Sequence, residues 1–266
     1  MKVAILGAGA LGGLIGAKLA QTQAQISLIA RGPHLEAMQD NGLTLLDPHG
    51  YVNLDPIASH TTAFMGPQDY VFVTLRAHQT AGLLPEVLPL IGPRTTIVWV
   101  TAGIPFWHDD ARAPQQQGAA LRDAIPQGQI LGCVSQIEAD ILQPGVIRHL
   151  AGDTLLLGEP SGETTLRATR LAKLLGEAGL AAPVVPDIRT HIWGQVLGLC
   201  ARAPEGLDEL SPTALLAQGR SVAEALGFKA APAELGISDA MWLDLAEGER
   251  AEFEAVLGGL TALSMR

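Results

Sequence analysis

Cysteine is nearly absent from this 266-residue chain, which has only Cys133 and Cys200 and no CxxC spacing. That excludes a disulfide framework and a cysteine-rich zinc site, and it suits a reducing compartment. Basic residues are scarce too: 17 Lys and Arg against 27 Asp and Glu give a formal net charge of −10. Nucleic-acid binding needs clustered cations to neutralise phosphates, so no nucleic-acid partner is expected. Lysine is rarer still, with only Lys2, Lys18, Lys173 and Lys229. No apolar run is long enough to span a bilayer, and glycines interrupt the apolar N-terminus where a signal peptide would be unbroken. No membrane partner is expected, and the location is read as cytoplasmic. There is no GxSxG nucleophile motif and no zinc-ligand spacing, so no metal is expected.

What the chain does have is a hydrophobic fraction of 48% with 17% charged residues, the balance of a globular protein with a large core. The stretch "KVAILGAGALGGLIGAKLA" places an apolar strand, a GxGxxG turn and a helix in immediate succession. In that context the glycines carry a mechanism. Gly7 allows the tight turn, Gly9 lets a pyrophosphate approach the backbone, and Gly12 lets helix and strand pack closely. The helix N-terminus then offers free N–H groups and a positive dipole end to the anion. Ala8, Ala10 and Leu11 complete this cofactor-binding loop.

A second strand over 25–30 ends in "IARG". Where an NAD site has a carboxylate for the ribose 2′-hydroxyl, this chain has Arg31, suited to the 2′-phosphate of NADP. NADP(H) is therefore the expected cofactor. Further strands are expected at 69–75 and 95–103, a β-hairpin turning at Pro48–Gly50, and helices at 33–41, around 79–91 and at 162–179. Residues 104–129 read as loop, and strand-like text from 130 to 158 suggests an antiparallel end to the sheet. The alternation predicts an α/β fold with a parallel sheet. A Rossmann-type dinucleotide-binding domain is expected over 1–187. A mainly helical domain, for substrate and dimer contacts, is expected over 188–266. Its Ala/Leu-rich helices suggest a homodimer.

The series "ILGAGALGGLIGAKLA", "LIARGPHLEAMQDNGLTL", "VTLRAHQT", "ILGCV", "QPGVIRH", "LGEP" and "DIRTHIW" runs in order from residue 1 to about 193. It resembles the ketopantoate reductase family. The resemblance implies NADPH in the cleft between a Rossmann domain and a helical domain. It also implies hydride delivery to the 2-keto group of a small acid. By the same resemblance Leu75, Arg76 and Gln79 line the cofactor cleft, with Arg76 where lysine is more usual, and Ala102 stands where the family's asparagine reaches the nicotinamide.

The catalytic half departs from that pattern. The family's W-x-K-L-x-x-N turn supplies a lysine proton donor, but here it reads "WGQVLGL", with Gln195 for the lysine and Leu199 for the asparagine. A carboxamide donates hydrogen bonds and cannot give up a proton at neutral pH. Ala240 falls near the expected substrate-binding serine, while Asp244 and Glu252 remain in the late carboxylate region. The candidate catalytic residues are thus Gln195, His191 one helical turn before it, and Glu252. His108, in "FWHDD" after the fifth strand, joins Leu199 and Ala240 as candidate substrate contacts.

These residues predict an NADPH-dependent reductase of a small ketone, imine or enone other than ketopantoate, with a replaced proton donor. Two alternatives stay open at this point. One is a non-catalytic NADP-binding sensor or scaffold. The other is a non-redox enzyme on the same fold.

Overall fold

The computed structural model describes residues 1–100, 103–108, 115–201, 211–225 and 227–228. At its centre is a seven-stranded sheet built from short apolar runs. The strands are β1 (Lys2–Leu6), β2 (Gln25–Ile29), β5 (Ile57–Ser59), β6 (Tyr70–Val73), β7 (Thr96–Trp99), β8 (Ile130–Ser135) and β11 (Leu155–Gly158). Their spatial order is β11-β8-β7-β6-β1-β2-β5, all parallel except β11, which runs antiparallel to β8.

Both faces of this sheet are covered, and for that reason its strands read as continuous apolar runs. Alternate residues enter two separate cores. Val3, Ile5, Tyr70 and Phe72 point into one, while Ala4, Leu6, Val71 and Val73 point into the other. The first core is closed by α1 (Ala10–Leu19) and α5 (Leu166–Glu177), with α2 (Gly32–Asn41) contributing Leu35 and Met38 at its margin. The second is closed by α3 (Leu84–Val87), α4 (Gln115–Ala124) and the first turns of α6 (Ile188–Ala201). The last described helix, α7 (Pro212–Ala225), packs against α6.

The hairpin expected around Pro48 does form, as β3 (Leu43–Asp47) and β4 (Gly50–Leu54). It leaves the main sheet, however, and joins β9 (Glu138–Gln143) and β10 (Val146–Ala151) in a second sheet of order β4-β3-β10-β9. That sheet lies over α1, where an added Cβ on Gly13 would come within 2.9 Å of Ile147 Cδ1. Lys18 Nζ closes the contact with an ion pair to Asp47 Oδ2 at 2.9 Å.

Two local readings need correction. The helix expected around 79–91 is broken into a 3-10 turn (Ala77–Gly82), the short α3 and a second 3-10 turn (Leu88–Leu90). Pro85 and Pro89 explain this, since each removes a helix N–H and clashes with the preceding turn. The stretch 104–129, read as loop, contains α4.

Candidate active site

The chain crosses from β1 through α1 to β2, then returns to the other side of β1 as β6. This reversal opens a crevice at the carboxyl ends of β1 and β6, the usual ligand position in such sheets. The glycine loop lies there. Gly7 adopts φ +98°, and a Cβ on it would lie 2.8 Å from Leu75 Cδ2. On Gly12 a Cβ would lie 2.3 Å from the Gly7 carbonyl oxygen and 2.4 Å from Thr74 Oγ1. Gly9 differs: its nearest neighbour is the Gly7 oxygen at 4.0 Å, so the loop is open at that point.

The loop is fastened from behind. The N–H groups of Gly7 and Ala8 both donate to the Ile29 carbonyl, at 3.1 and 2.9 Å. Thr74 Oγ1, just past β6, donates to the Gly7 carbonyl at 2.8 Å. Gly9 caps α1 without a side-chain cap, and the first turn holds no acidic residue. The N–H groups of the first turn are therefore left without an intrahelical partner, at a positive dipole end.

His34, within the "ARGPHL" stretch, braces the same loop. Its Nδ1 accepts from the Gly145 N–H at 3.0 Å, so in the neutral ring Nε2 carries the proton, buried next to the Ala8 backbone. Burial holds its pKa below the usual histidine range, against a smaller opposing effect of the Ala8 backbone. Thr74 and His34 are supports that the motif reading overlooked, although both lie inside the quoted family segments.

Arg31 sits at the carboxyl end of β2 as the N-cap of α2, its side chain 80% exposed. Across from it, Glu86 of α3 places Oε1 3.7 Å from an Arg31 terminal nitrogen. Arg76 caps the first 3-10 turn, and its backbone N–H donates to Gln79 Oε1 at 3.3 Å. Leu75, Arg76 and Gln79 thus stand at the end of β6, beside the glycine loop that Leu75 touches.

Two of the candidate catalytic residues, His191 and Gln195, are carried by α6. Asp187 caps this helix, accepting from the Thr190 N–H at 3.1 Å. Its first turn is seated on paired glycines of neighbouring strands, Gly132 of β8 opposite Gly158 of β11. A Cβ on Gly132 would lie 2.9 Å from Ile188, and one on Gly158 would lie 2.6 Å from Ile188 Cβ. The helix spacing puts Ile188, Ile192, Gln195 and Leu199 along one stripe, with His191 at its edge. Gln195 is buried, at 8% exposure. His191 is half-buried, with Nδ1 buried and unpartnered. Leu199 is buried.

His108, the candidate substrate contact after β7, is buried among aromatic rings. It is 1% exposed, its ring 5.0 Å from Phe228 and 6.0 Å from Trp193 between centroids. Arg189 lies over the neighbouring Trp107 ring at 5.9 Å. This aromatic packing joins the loop after β7 to α6. Ala102, Ala240 and Glu252 lie outside the described residues, as do Asp109, Asp110 and Asp244. Among the described residues no group of metal-binding side chains occurs and no helix is long and apolar enough to cross a membrane.

Comparison with known proteins agrees with this arrangement. The family described as ketopantoate reductase PanE/ApbA matches residues 3–162. A 2-dehydropantoate 2-reductase of Mesorhizobium japonicum is 35% identical over 255 residues, covering 86% of this chain and 78% of its own. The chain belongs to the ketopantoate reductase family. Its relatives are NAD(P)-dependent oxidoreductases, and the Rossmann-type fold with a helical C-terminal part is theirs as well. Among solved structures, a candidate ketopantoate reductase from Ralstonia solanacearum superimposes with a TM-score of 0.83 at 28% identity, over 99% of this chain and 91% of that one. D-mandelate dehydrogenase, solved with NADH and anilino(oxo)acetate, shares the fold at a TM-score of 0.72 and 17% identity, over 100% and 92%.

The residues present fit a nicotinamide dinucleotide. The open approach at Gly9 and the uncapped α1 N-terminus suit the pyrophosphate, and Arg31 lies where the adenosine ribose is held in such folds.

Proposed function

We propose that the chain is an NADPH-dependent reductase of a small ketone, imine or enone other than ketopantoate. The observation that carries this reading is the place of Gln195, a buried carboxamide on α6 at the position of the family's lysine. A carboxamide in such a setting gains about 0.5–1.5 kcal/mol from a hydrogen-bond partner. A substrate oxygen or nitrogen accepting from the Gln195 N–H would supply that partner.

When bound, the reduced nicotinamide supplies the hydride. The protein must stabilise the charge that then develops on the substrate heteroatom and deliver a proton to it. Gln195 serves the first task through its N–H. It cannot serve the second, which falls to His191 one turn earlier, to Glu252 or to water. Arg31 supports NADPH as the cofactor, since a guanidinium pairs with a phosphate in a two-pronged contact. Leu199 and Ala240, where the family has polar substrate contacts, argue against ketopantoate itself.

The test is oxidation of NADPH, followed by its absorbance, against a panel of ketones, 2-keto acids, imines and enones. Turnover is expected with at least one of them. Gln195→Ala should lower kcat by about 100- to 1000-fold, as for loss of one oxyanion donor, with NADPH affinity unchanged. Tight NADPH binding without turnover of any compound would replace this reading with a non-catalytic sensor or scaffold.

A further inference from the structure

Arg31, the residue read as the 2′-phosphate contact, faces an acid. Glu86 Oε1 lies 3.7 Å from the guanidinium, and Glu86 Oε2 accepts from Thr62 Oγ1 at 3.3 Å. Thr62 is buried at 1% exposure, and the Glu86 side chain is 26% exposed against 80% for Arg31. The carboxylate is thus anchored by a buried hydroxyl, while the arginine reaches to it from solvent. An exposed pair of this kind adds little to stability, so its consequence lies in the charge it sets beside the ribose position.

A carboxylate here acts on the two nicotinamide cofactors in opposite directions. It offsets part of the positive charge that draws the 2′-phosphate, and it repels that phosphate directly. It also offers the acceptor that a ribose 2′-hydroxyl takes in NAD sites, where the acid normally stands at the end of the second strand. In this chain Arg31 holds that strand end, and the fold brings an acid from α3 to 3.7 Å from its guanidinium.

We propose that Glu86 is a determinant of cofactor choice, which narrows the preference for NADPH that Arg31 confers and lets the chain accept NADH as well. The inference rests on the dinucleotide reading of this site. Purified wild type, Glu86→Gln and Glu86→Ala are titrated with NADPH and with NADH, following nicotinamide fluorescence, and their melting temperatures are compared. Glu86→Gln should bind NADPH about 3- to 10-fold more tightly and NADH more weakly, widening the ratio of the two Kd values by about tenfold. Glu86→Ala should move the ratio the same way. An unchanged ratio in both variants, or equal weakening of both cofactors, would overturn the role of Glu86 while leaving the dinucleotide site standing. Failure of the wild type to bind either cofactor would instead overturn the dinucleotide reading, and this inference with it.

Discussion

Replacing Gly12 with alanine presses on the point where the glycine loop, β1 and the residue after β6 meet. The new methyl would lie 2.3 Å from the Gly7 carbonyl oxygen, 2.4 Å from Thr74 Oγ1 and 3.0 Å from Ile5 Cγ2. None of these can yield easily. The Gly7 peptide is held by its N–H bond to Ile29, and Thr74 Oγ1 by its bond to the Gly7 carbonyl. Forcing a methyl into such packing costs about 1–3 kcal/mol. Losing the Thr74 hydrogen bond adds about 1 kcal/mol. The total of roughly 2–4 kcal/mol corresponds to a fall in Tm of about 4–16 °C for a chain of this size. Thermal and urea unfolding measure it, and a cofactor titration on the same variant should show affinity lost with it. Gly176→Ala is the control, because that site near the end of α5 has open space around it. There alanine should be neutral or stabilising by up to about 1 kcal/mol. If Gly12→Ala melts within a degree or two of the wild type and binds cofactor normally, the close-approach argument is wrong.

Two further outcomes follow from the seat of α6. Gly158→Ala should destabilise by about 1–3 kcal/mol, because its methyl would meet Ile188 Cβ at 2.6 Å and the Val185 carbonyl at 3.0 Å. Combined with Ile188→Ala it should cost less than the sum of the single changes by about 1 kcal/mol in urea unfolding, and strict additivity would contradict the contact. Both cysteines are buried, and burial pushes the Cys200 thiol up to about 12 and the Cys133 thiol up as well. The thiolate fraction is then negligible at pH 8, so native protein should resist a thiol reagent that labels both cysteines in urea. Rapid labelling of one thiol in the native state would show that α6 or β8 is packed otherwise.

Much of the first half of the fold was legible because its signals are local. The run "KVAIL", the glycines and the following helix occupy one short stretch, and the structure puts Gly7 in a positive-φ turn and Gly12 in close contact with the loop, with open space at Gly9. The second sheet was not legible, because β3 pairs with β10 about a hundred residues away and nothing local marks that partnership. The same reason hid Glu86, which approaches Arg31 only through the fold. The burial of His108 was not legible, because only the fold brings Trp193 and Phe228 to the ring that follows Trp107. Gly132 and Gly158 stood in the quoted "ILGCV" and "LGEP" segments, but their joint purpose appears only once β8 and β11 are paired and Ile188 rests on both.

The most direct test of the account is a fluorescence titration of the wild type and Arg31→Ala with NADPH and NADH. The account predicts that the wild type binds both and NADPH more tightly. Arg31→Ala should lose about 10- to 100-fold in NADPH affinity, the value of one or two charge-assisted hydrogen bonds, with a much smaller change for NADH. Equal affinities in the wild type, or an NADPH affinity indifferent to Arg31, would contradict it.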